Sequence, residues 1–257
     1  GPAGVVDAAC ASSLLALDQA CSVLRRGDAD MAVAGGVSLM LGPEVFTALL
    51  RLNALSPQGV CRSFDAGANG YGRGEGCGML VLKRLDDALE NEDNILAVIE
   101  GTAIRHGGRS NGLTAPNVRS QVEVIRAALA DAGRVPSDIS YVEAHGTGTP
   151  LGDPIEIAAL TTVFGKNTAH APLFVGSAKS VVGHLEAAAG MAGIIKTVLA
   201  FKHQALPKNC NFETPSPHID WDNSPTKIVS DRQVWTASHA PRRAGVSAFG
   251  FSGTVAH

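Results

Sequence analysis

Three settings in this chain hold side chains that could carry nucleophilic or acid–base chemistry. The first is Cys10, in Val5-Val6-Asp7-Ala8-Ala9-Cys10-Ala11-Ser12-Ser13-Leu14. A β-like apolar run ends at this thiol, and a helix is predicted to start within two or three residues. A thiol there faces the unpaired N–H groups and the positive end of the helix dipole. Both favour the thiolate and predict a pKa below the ordinary value of about 8.5. The second setting is Glu143-Ala144-His145-Gly146-Thr147-Gly148-Thr149-Pro150, a histidine at a strand end on a loop whose glycines allow a ligand close approach. The third is Lys179-Ser180-Val181-Val182-Gly183-His184-Leu185-Glu186, a histidine just before a helix. A lone cysteine is ordinarily a small buried hydrophobe, and a lone strand-end histidine is ordinarily structural. A junction cysteine together with two glycine-framed histidines points instead to nucleophilic or acid–base catalysis. The other histidines (His106, His170, His203, His218, His239, His257) sit in polar or loop contexts and read mostly as surface residues.

Elements must bring these groups together, and strand-like and helix-like stretches alternate as in an α/β layered fold. Residues 13–26 carry Leu14, Leu17, Cys21 and Leu24 at helical spacing, with Gly27 as the stop. A short buried strand is predicted over 31–34, a helix from Pro43 through Leu52, and a glycine-dense loop over 70–76 that feeds a strand over 79–82. A short acidic helix follows, and 95–104 reads as a second long strand. The pattern then runs again: helix 121–132, strand 141–144, helix 154–164, strand 173–176, helix 185–201, loop 207–225, and a final strand 243–249 entering a Gly-rich turn. Two blocks of similar design divide near Glu92, giving expected units of 1–92 and 93–257.

The 257 residues suffice for one large domain or two small ones, and 45% hydrophobic content with 29 glycines and 13 prolines indicates a folded, turn-rich chain. A net charge of −3 supplies no basic surface for nucleic acid. No apolar run reaches membrane-spanning length. The five scattered cysteines form no C-x-x-C pair, which speaks against a disulfide framework or zinc site and for a reducing, cytoplasmic setting. The chain opens on Gly1-Pro2-Ala3-Gly4 and ends at His257, which reads as a piece of a longer polypeptide.

Taken together, Asp7-Ala8-Ala9-Cys10-Ala11-Ser12-Ser13, Gly70-Tyr71-Gly72-Arg73-Gly74-Glu75-Gly76, Glu143-Ala144-His145-Gly146-Thr147-Gly148-Thr149 and Gly183-His184-Leu185-Glu186-Ala187-Ala188-Ala189-Gly190 resemble the motifs of β-ketoacyl synthases, above all the ketosynthase domain of modular type I polyketide synthases. The resemblance runs through the whole chain in order. It implies a thiolase-like α/β fold, two similar halves in an αβαβα layering, the first half here lacking its opening elements, in a protein that is usually a homodimer. It further implies that Cys10 accepts an acyl chain from the phosphopantetheine arm of an acyl carrier protein. A malonyl-type thioester then decarboxylates, and its enolate attacks the Cys10 thioester. His145 and His184 would stabilise the enolate oxygen. The N–H of Cys10 and one from the turn Phe249-Gly250-Phe251-Ser252-Gly253 would form an oxyanion hole. Lys179 would order the histidine region, Thr147 and Thr149 would bind the pantetheine amides, and Phe251 would gate. The domain itself would bind no cofactor, and its partners would be the carrier protein and neighbouring synthase domains such as an acyltransferase. Without the opening strands, apolar sheet edges would lie uncovered, so the chain is expected to fold poorly alone.

Departures from the family pattern are Ala8 for Thr, Ala11 for Ser, and Val255 for Asn in Gly253-Thr254-Val255-Ala256-His257. The last puts the hydrogen bonding of the closing loop in question. The run 70–78 has glycine at every second residue and leads into a strand, unlike a phosphate loop. Asp153, Glu156 and Glu186 read as helix-start acids, with no histidine spaced to complete a metal site. Two alternatives stay open: a thiolase-type acyltransferase on coenzyme A esters, which the paired histidine motifs disfavour, and a catalytically silent ketosynthase-like scaffold, which the intact Cys10 disfavours.

Overall fold

In the computed structural model, which describes residues 1–108, 112, 116–165, 172–236 and 241–257, a single 3-10 turn, Ala9–Ala11, leads into helix α1 (Ser12–Arg26). Leu14, Leu17, Cys21 and Leu24 are buried along one face of α1, and Arg25 and Arg26 complement the negative end of its dipole. Then come β1 (Met31–Ser38), α2 (Glu44–Arg51), β2 (Gly76–Lys83), α3 (Leu85–Glu90), β3 (Ile104–His106), α4 (Val118–Asp131), β4 (Tyr141–Glu143) and α5 (Gly152–Phe164). The chain continues through β5 (Leu173–Gly176), α6 (Lys179–Val182), α7 (Ala189–His203), β6 (Ala205–Leu206), β7 (Thr226–Ile228), β8 (Gln233–Val234), β9 (Ala244–Val246), β10 (Ala248–Phe249) and β11 (Thr254–Ala256).

Parallel strands in the order β7-β5-β4-β9 form the central sheet of the second half. Val142 and Val175, fully buried in that sheet, join Ile125 and Leu129 of α4 and Ile157 and Leu160 of α5 in the largest apolar core. Both faces of a parallel sheet need such cover, which explains the run of apolar residues in β4 and β5. Around Cys10 lies a second core in which α1, Ala34, Met191 of α7, Ala248 and Ala256 meet. Ala8 and Ala11, the two departures beside Cys10, are buried members of this small-residue packing. The mixed architecture, parallel in one sheet and antiparallel in the others, agrees with the α/β expectation.

Four sequence expectations change. The strand expected to stop at Ala34 continues to Ser38, pairing with β2 from Met31↔Lys83 to Ser38↔Gly76. It is also not wholly buried, since Met31, Val33 and Val37 project to the exposed face together with Met79 and Val81 of β2. The long strand expected over 95–104 reduces to β3: Ile95, Leu96 and Val98 are exposed, and no described strand pairs with them. The strand expected over 243–249 is two strands in two sheets. At Ser247 the chain crosses from a parallel pairing with β4 to an antiparallel pairing with β11, and its N–H donates to the Glu143 carbonyl (3.0 Å). The helix expected from Leu185 begins at Ala189, preceded by a 3-10 turn over Glu186–Ala188. β6, β7, β8 and β11 are two or three residues long, too short to leave a periodic signal. Val255, where the family has Asn, is a buried β11 residue, and backbone bonds close its turn: the Gly250 N–H donates to Thr254 O (2.8 Å) and the Gly253 N–H to Gly250 O (3.0 Å).

Candidate active site

Cys10 sits in the 3-10 turn ahead of α1, with 4% of its surface exposed. That burial pushes the thiol up to about 11. The charge of Lys179 and the N–H groups of Cys10 and Phe251 pull the other way but do not offset it. The lowered pKa expected from the junction is therefore corrected. The amides that face the sulfur are its own and that of Phe251, not those at the start of α1, and the loss of water outweighs them. The turn carrying Cys10 packs against Glu186–Ala188 and against β10, which brings the sulfur to the two histidine segments.

His145 follows β4, where the parallel sheet delivers it to the strand's C-terminal end. Its ring lies 5.5 Å from that of His184, edge to face, and 5.4 Å from Phe249. The Phe249 N–H donates to His145 Nδ1 (3.3 Å), and the Glu186 N–H donates to His184 Nδ1 (3.0 Å). A ring nitrogen that accepts leaves its proton on the other nitrogen, so both imidazoles carry Nε2–H. Burial, and then the charge of Lys179, hold both rings well below the usual histidine range, so both are neutral donors at pH 7. Among the described residues nothing partners His184 Nε2, a buried polar atom. A buried N–H left unpaired in this way is a donor available to a bound acceptor.

The glycine-dense loop has a positional role. The His184 N–H donates to Gly72 O (2.7 Å), the Gly74 N–H donates to His184 O (2.9 Å), and Arg73 bridges His184 as a short parallel pair. A side chain on Gly74 would run into the Val182 carbonyl and Leu185, so only glycine permits this approach. Gly183, at φ 73°, turns the chain from α6 into His184.

Lys179 is buried at the start of α6, and burial pushes its ammonium down while Glu143 and Glu156 favour its charge. Thr147 and Thr149 bring their hydroxyls within 3.3 Å of each other on the His145 loop. Phe251 packs against the cluster of Leu49, Cys61 and Tyr71. Tyr71 stands edge-on to His184, with ring centroids 4.9 Å apart.

Two acids read from sequence as helix-start residues, Asp153 in the first turn of α5 and Glu156 just after it, also hold the His145 loop. Glu156 accepts the N–H groups of His145 (2.7 Å) and Gly146 (2.8 Å), and Asp153 accepts those of Phe64 (2.6 Å) and Gly148 (3.1 Å). Burial raises Glu156 to about 7 and Asp153 to about 6, against the pull of these amides. The available signal was that α5 is otherwise apolar, and acids in such a helix must be partnered. Glu186 opens the 3-10 turn Glu186–Ala188, as a helix-start acid, and also pairs with Arg73. His257 is half-buried rather than exposed: its Nδ1 lies 2.9 Å from Ser247 Oγ, and loss of water around the ring lowers it to about 4. His106, His203 and His218 are exposed as expected, and His170 and His239 lie outside the described residues. Among the described residues no group of side chains forms a metal site, and no helix is long and apolar enough to cross a membrane.

Comparison with known proteins agrees with this arrangement. The β-ketoacyl synthase N-terminal domain matches residues 1–88 and the β-ketoacyl synthase C-terminal domain matches residues 96–213. The chain is 54% identical, along its whole length, to part of a phenolphthiocerol/phthiocerol polyketide synthase of Mycobacterium tuberculosis, and spans 14% of that protein. It is 48% identical to part of the polyketide synthase GfsA of Streptomyces halstedii, spanning 3% of it. The solved ketosynthase from module 6 of the bacillaene synthase of Bacillus subtilis 168 superposes on all of the chain with a TM-score of 0.96 and 46% identity, the chain spanning 46% of that structure. An oxazolomycin ketosynthase domain of Streptomyces albus gives the same TM-score at 44% identity. The chain therefore has the thiolase-like ketosynthase fold and belongs to the β-ketoacyl synthase family, within the ketosynthase domains of modular type I polyketide synthases.

Proposed function

We propose that the site joins two thioester-bound acyl groups by decarboxylative Claisen condensation, in elongation of a polyketide or fatty acyl chain. The observation that carries this reading is the pair of neutral imidazoles, each with its proton on Nε2, next to a buried thiol. In the first stage Cys10 Sγ attacks the acyl carbonyl. Its proton leaves with the departing carrier thiol, and the N–H groups of Cys10 and Phe251 hold the tetrahedral oxyanion. In the second stage a malonyl-type thioester loses carbon dioxide, and the electron pair of the broken bond forms an enolate. His145 and His184 donate to its oxygen, where the new charge develops, and removing one such donor typically costs about 10²–10³ in rate. The enolate carbon then attacks the Cys10 thioester. Collapse releases a 3-ketoacyl thioester on the carrier and the Cys10 thiolate, which is reprotonated.

Both acyl groups would arrive on the phosphopantetheine arm of an acyl carrier protein, with the hydroxyls of Thr147 and Thr149 placed for its amides and Phe251 lining the approach. Lys179 would order the histidines and keep them neutral through its charge. The domain itself would bind no cofactor. We place the junction of the two thiolase-like halves near Glu92, giving 1–92 with the nucleophile and 93–257 with the histidines. The working form would be a cytoplasmic homodimer beside other synthase domains, such as an acyltransferase.

The test is intact-mass spectrometry of the full-length protein mixed with an acyl-loaded carrier. The wild type should gain the acyl mass and Cys10→Ala should not. An adduct that survives in Cys10→Ala would defeat the assignment of the nucleophile.

A further inference from the structure

Glu186 has a backbone φ of 46°, in the left-handed region that a residue with a side chain rarely occupies. It is also the residue whose N–H donates to His184 Nδ1 (3.0 Å) and so sets which nitrogen of His184 carries the proton. Something must hold Glu186 in that strained conformation. The fork of Arg73 meets it at both oxygens, Nε to Oε1 at 2.6 Å and Nη2 to Oε2 at 2.8 Å. The Arg73 side chain is 3% exposed and its guanidinium lies over the Phe46 ring at 4.3 Å, so its position is set by packing. A bidentate, charge-assisted pair of this kind fixes orientation as well as distance. The two glycines flanking Arg73 bond the His184 backbone, Gly72 O accepting its N–H and the Gly74 N–H donating to its carbonyl, so the loop grips the histidine segment by main chain and side chain. This ion pair spans 113 positions in sequence and joins the glycine loop to the histidine turn.

Resting on the condensation reading above, we propose that Arg73 and Glu186 are positioning residues: their ion pair holds Glu186 in the left-handed conformation that locks His184 as an Nε2–H donor toward the enolate oxygen. The pair itself touches no substrate. It acts on the decarboxylation half of the reaction; the oxyanion donors for acyl transfer come from Cys10 and Phe251, and the Glu186 charge, which also raises the Cys10 thiol, is separated out by counting acylated enzyme at completion rather than as a rate.

The two halves can be read separately in the full-length protein. Malonyl-carrier decarboxylation is measured per molecule of enzyme competent to acylate Cys10, the latter counted by intact mass, so that loss of folded protein cancels. Glu186→Ala keeps the backbone strain and removes the clamp, and should lower normalised decarboxylation by about 10–10²-fold, somewhat less than deleting the donor outright. Glu186→Gly also removes the clamp but adopts positive φ freely, so it should retain more decarboxylation than Glu186→Ala. Arg73→Met should match Glu186→Ala. Nitrogen-15 spectra of labelled histidine should show one His184 tautomer in the wild type and a mixture in Glu186→Ala. The proposal is overturned if Glu186→Ala decarboxylates like the wild type, if Glu186→Gly is no better than Glu186→Ala, or if the tautomer does not change. A wild type that neither acylates nor decarboxylates overturns the condensation reading, and this inference with it.

Discussion

At the scale of single residues, the proposed nucleophile Cys10 is held as a thiol. Its turn supplies N–H groups and Lys179 supplies positive charge, yet burial dominates and places it at about 11. Labelling by a neutral alkylating reagent, followed at the Cys10 peptide, should therefore rise about tenfold per pH unit well past pH 8.5 rather than level off there. A plateau below ~pH 9 would show that the amides and Lys179 overcome burial after all. Because the Lys179 charge lowers the thiol, Lys179→Met should shift the labelling curve to higher pH. The same charge helps keep His145 and His184 neutral, so this one buried lysine favours proton loss at the thiol and at both imidazoles alike.

At the scale of elements, the site is a meeting of loops held by rigid neighbours. β4 ends at His145, α5 turns two carboxyl groups back onto that loop, and the glycine run lies against the His184 turn. Gly74→Ala should cost about 1–3 kcal/mol in a urea titration, the usual range for overpacking, because the new methyl meets the Val182 carbonyl. It should also slow decarboxylation more than Cys10 acylation, since the displaced segment carries His184. Much at this scale was legible beforehand. α1, β5 and Gly27 fall where apolar spacing and the glycine stop place them, because each depends on its own residues. The break at Ser247 and the loss of the long strand near Ile95 were not legible. Strand identity depends on a partner, and the partners of β9 and β10 are β4, about a hundred residues earlier, and β11. Glu156, Asp153 and Arg73 were missed as site residues for a related reason: an acid at a helix start has a complete local explanation, and its long-range partner leaves no local mark.

At the scale of the whole molecule, buried titratable groups make stability depend on pH in two opposing ways. His145, His184 and His257 are held below their unfolded value of about 6.5, so the stability they contribute above that pH is lost as pH falls. Asp153 and Glu156 are raised to about 6 and about 7, so their contribution is present in acid and is lost as pH rises through those values. Between ~pH 6 and ~pH 4.5 the imidazoles and these two carboxyl groups act against each other, so their effects partly cancel. Glu156→Gln removes one opposing group and should steepen the loss of stability on acidification in urea titrations at several pH values; an unchanged dependence would mean that Glu156 is not protonated early in the fold. The sequence alone singled out the candidate thiol and both candidate histidines and determined the α/β class, since reactive side chain, neighbouring glycines and apolar period are written in consecutive residues. Only the tertiary structure decided the protonation of Cys10, the tautomers of the two imidazoles and the residues that hold them. Those properties come from excluded water and from partners distant in the chain, which only folding brings within reach.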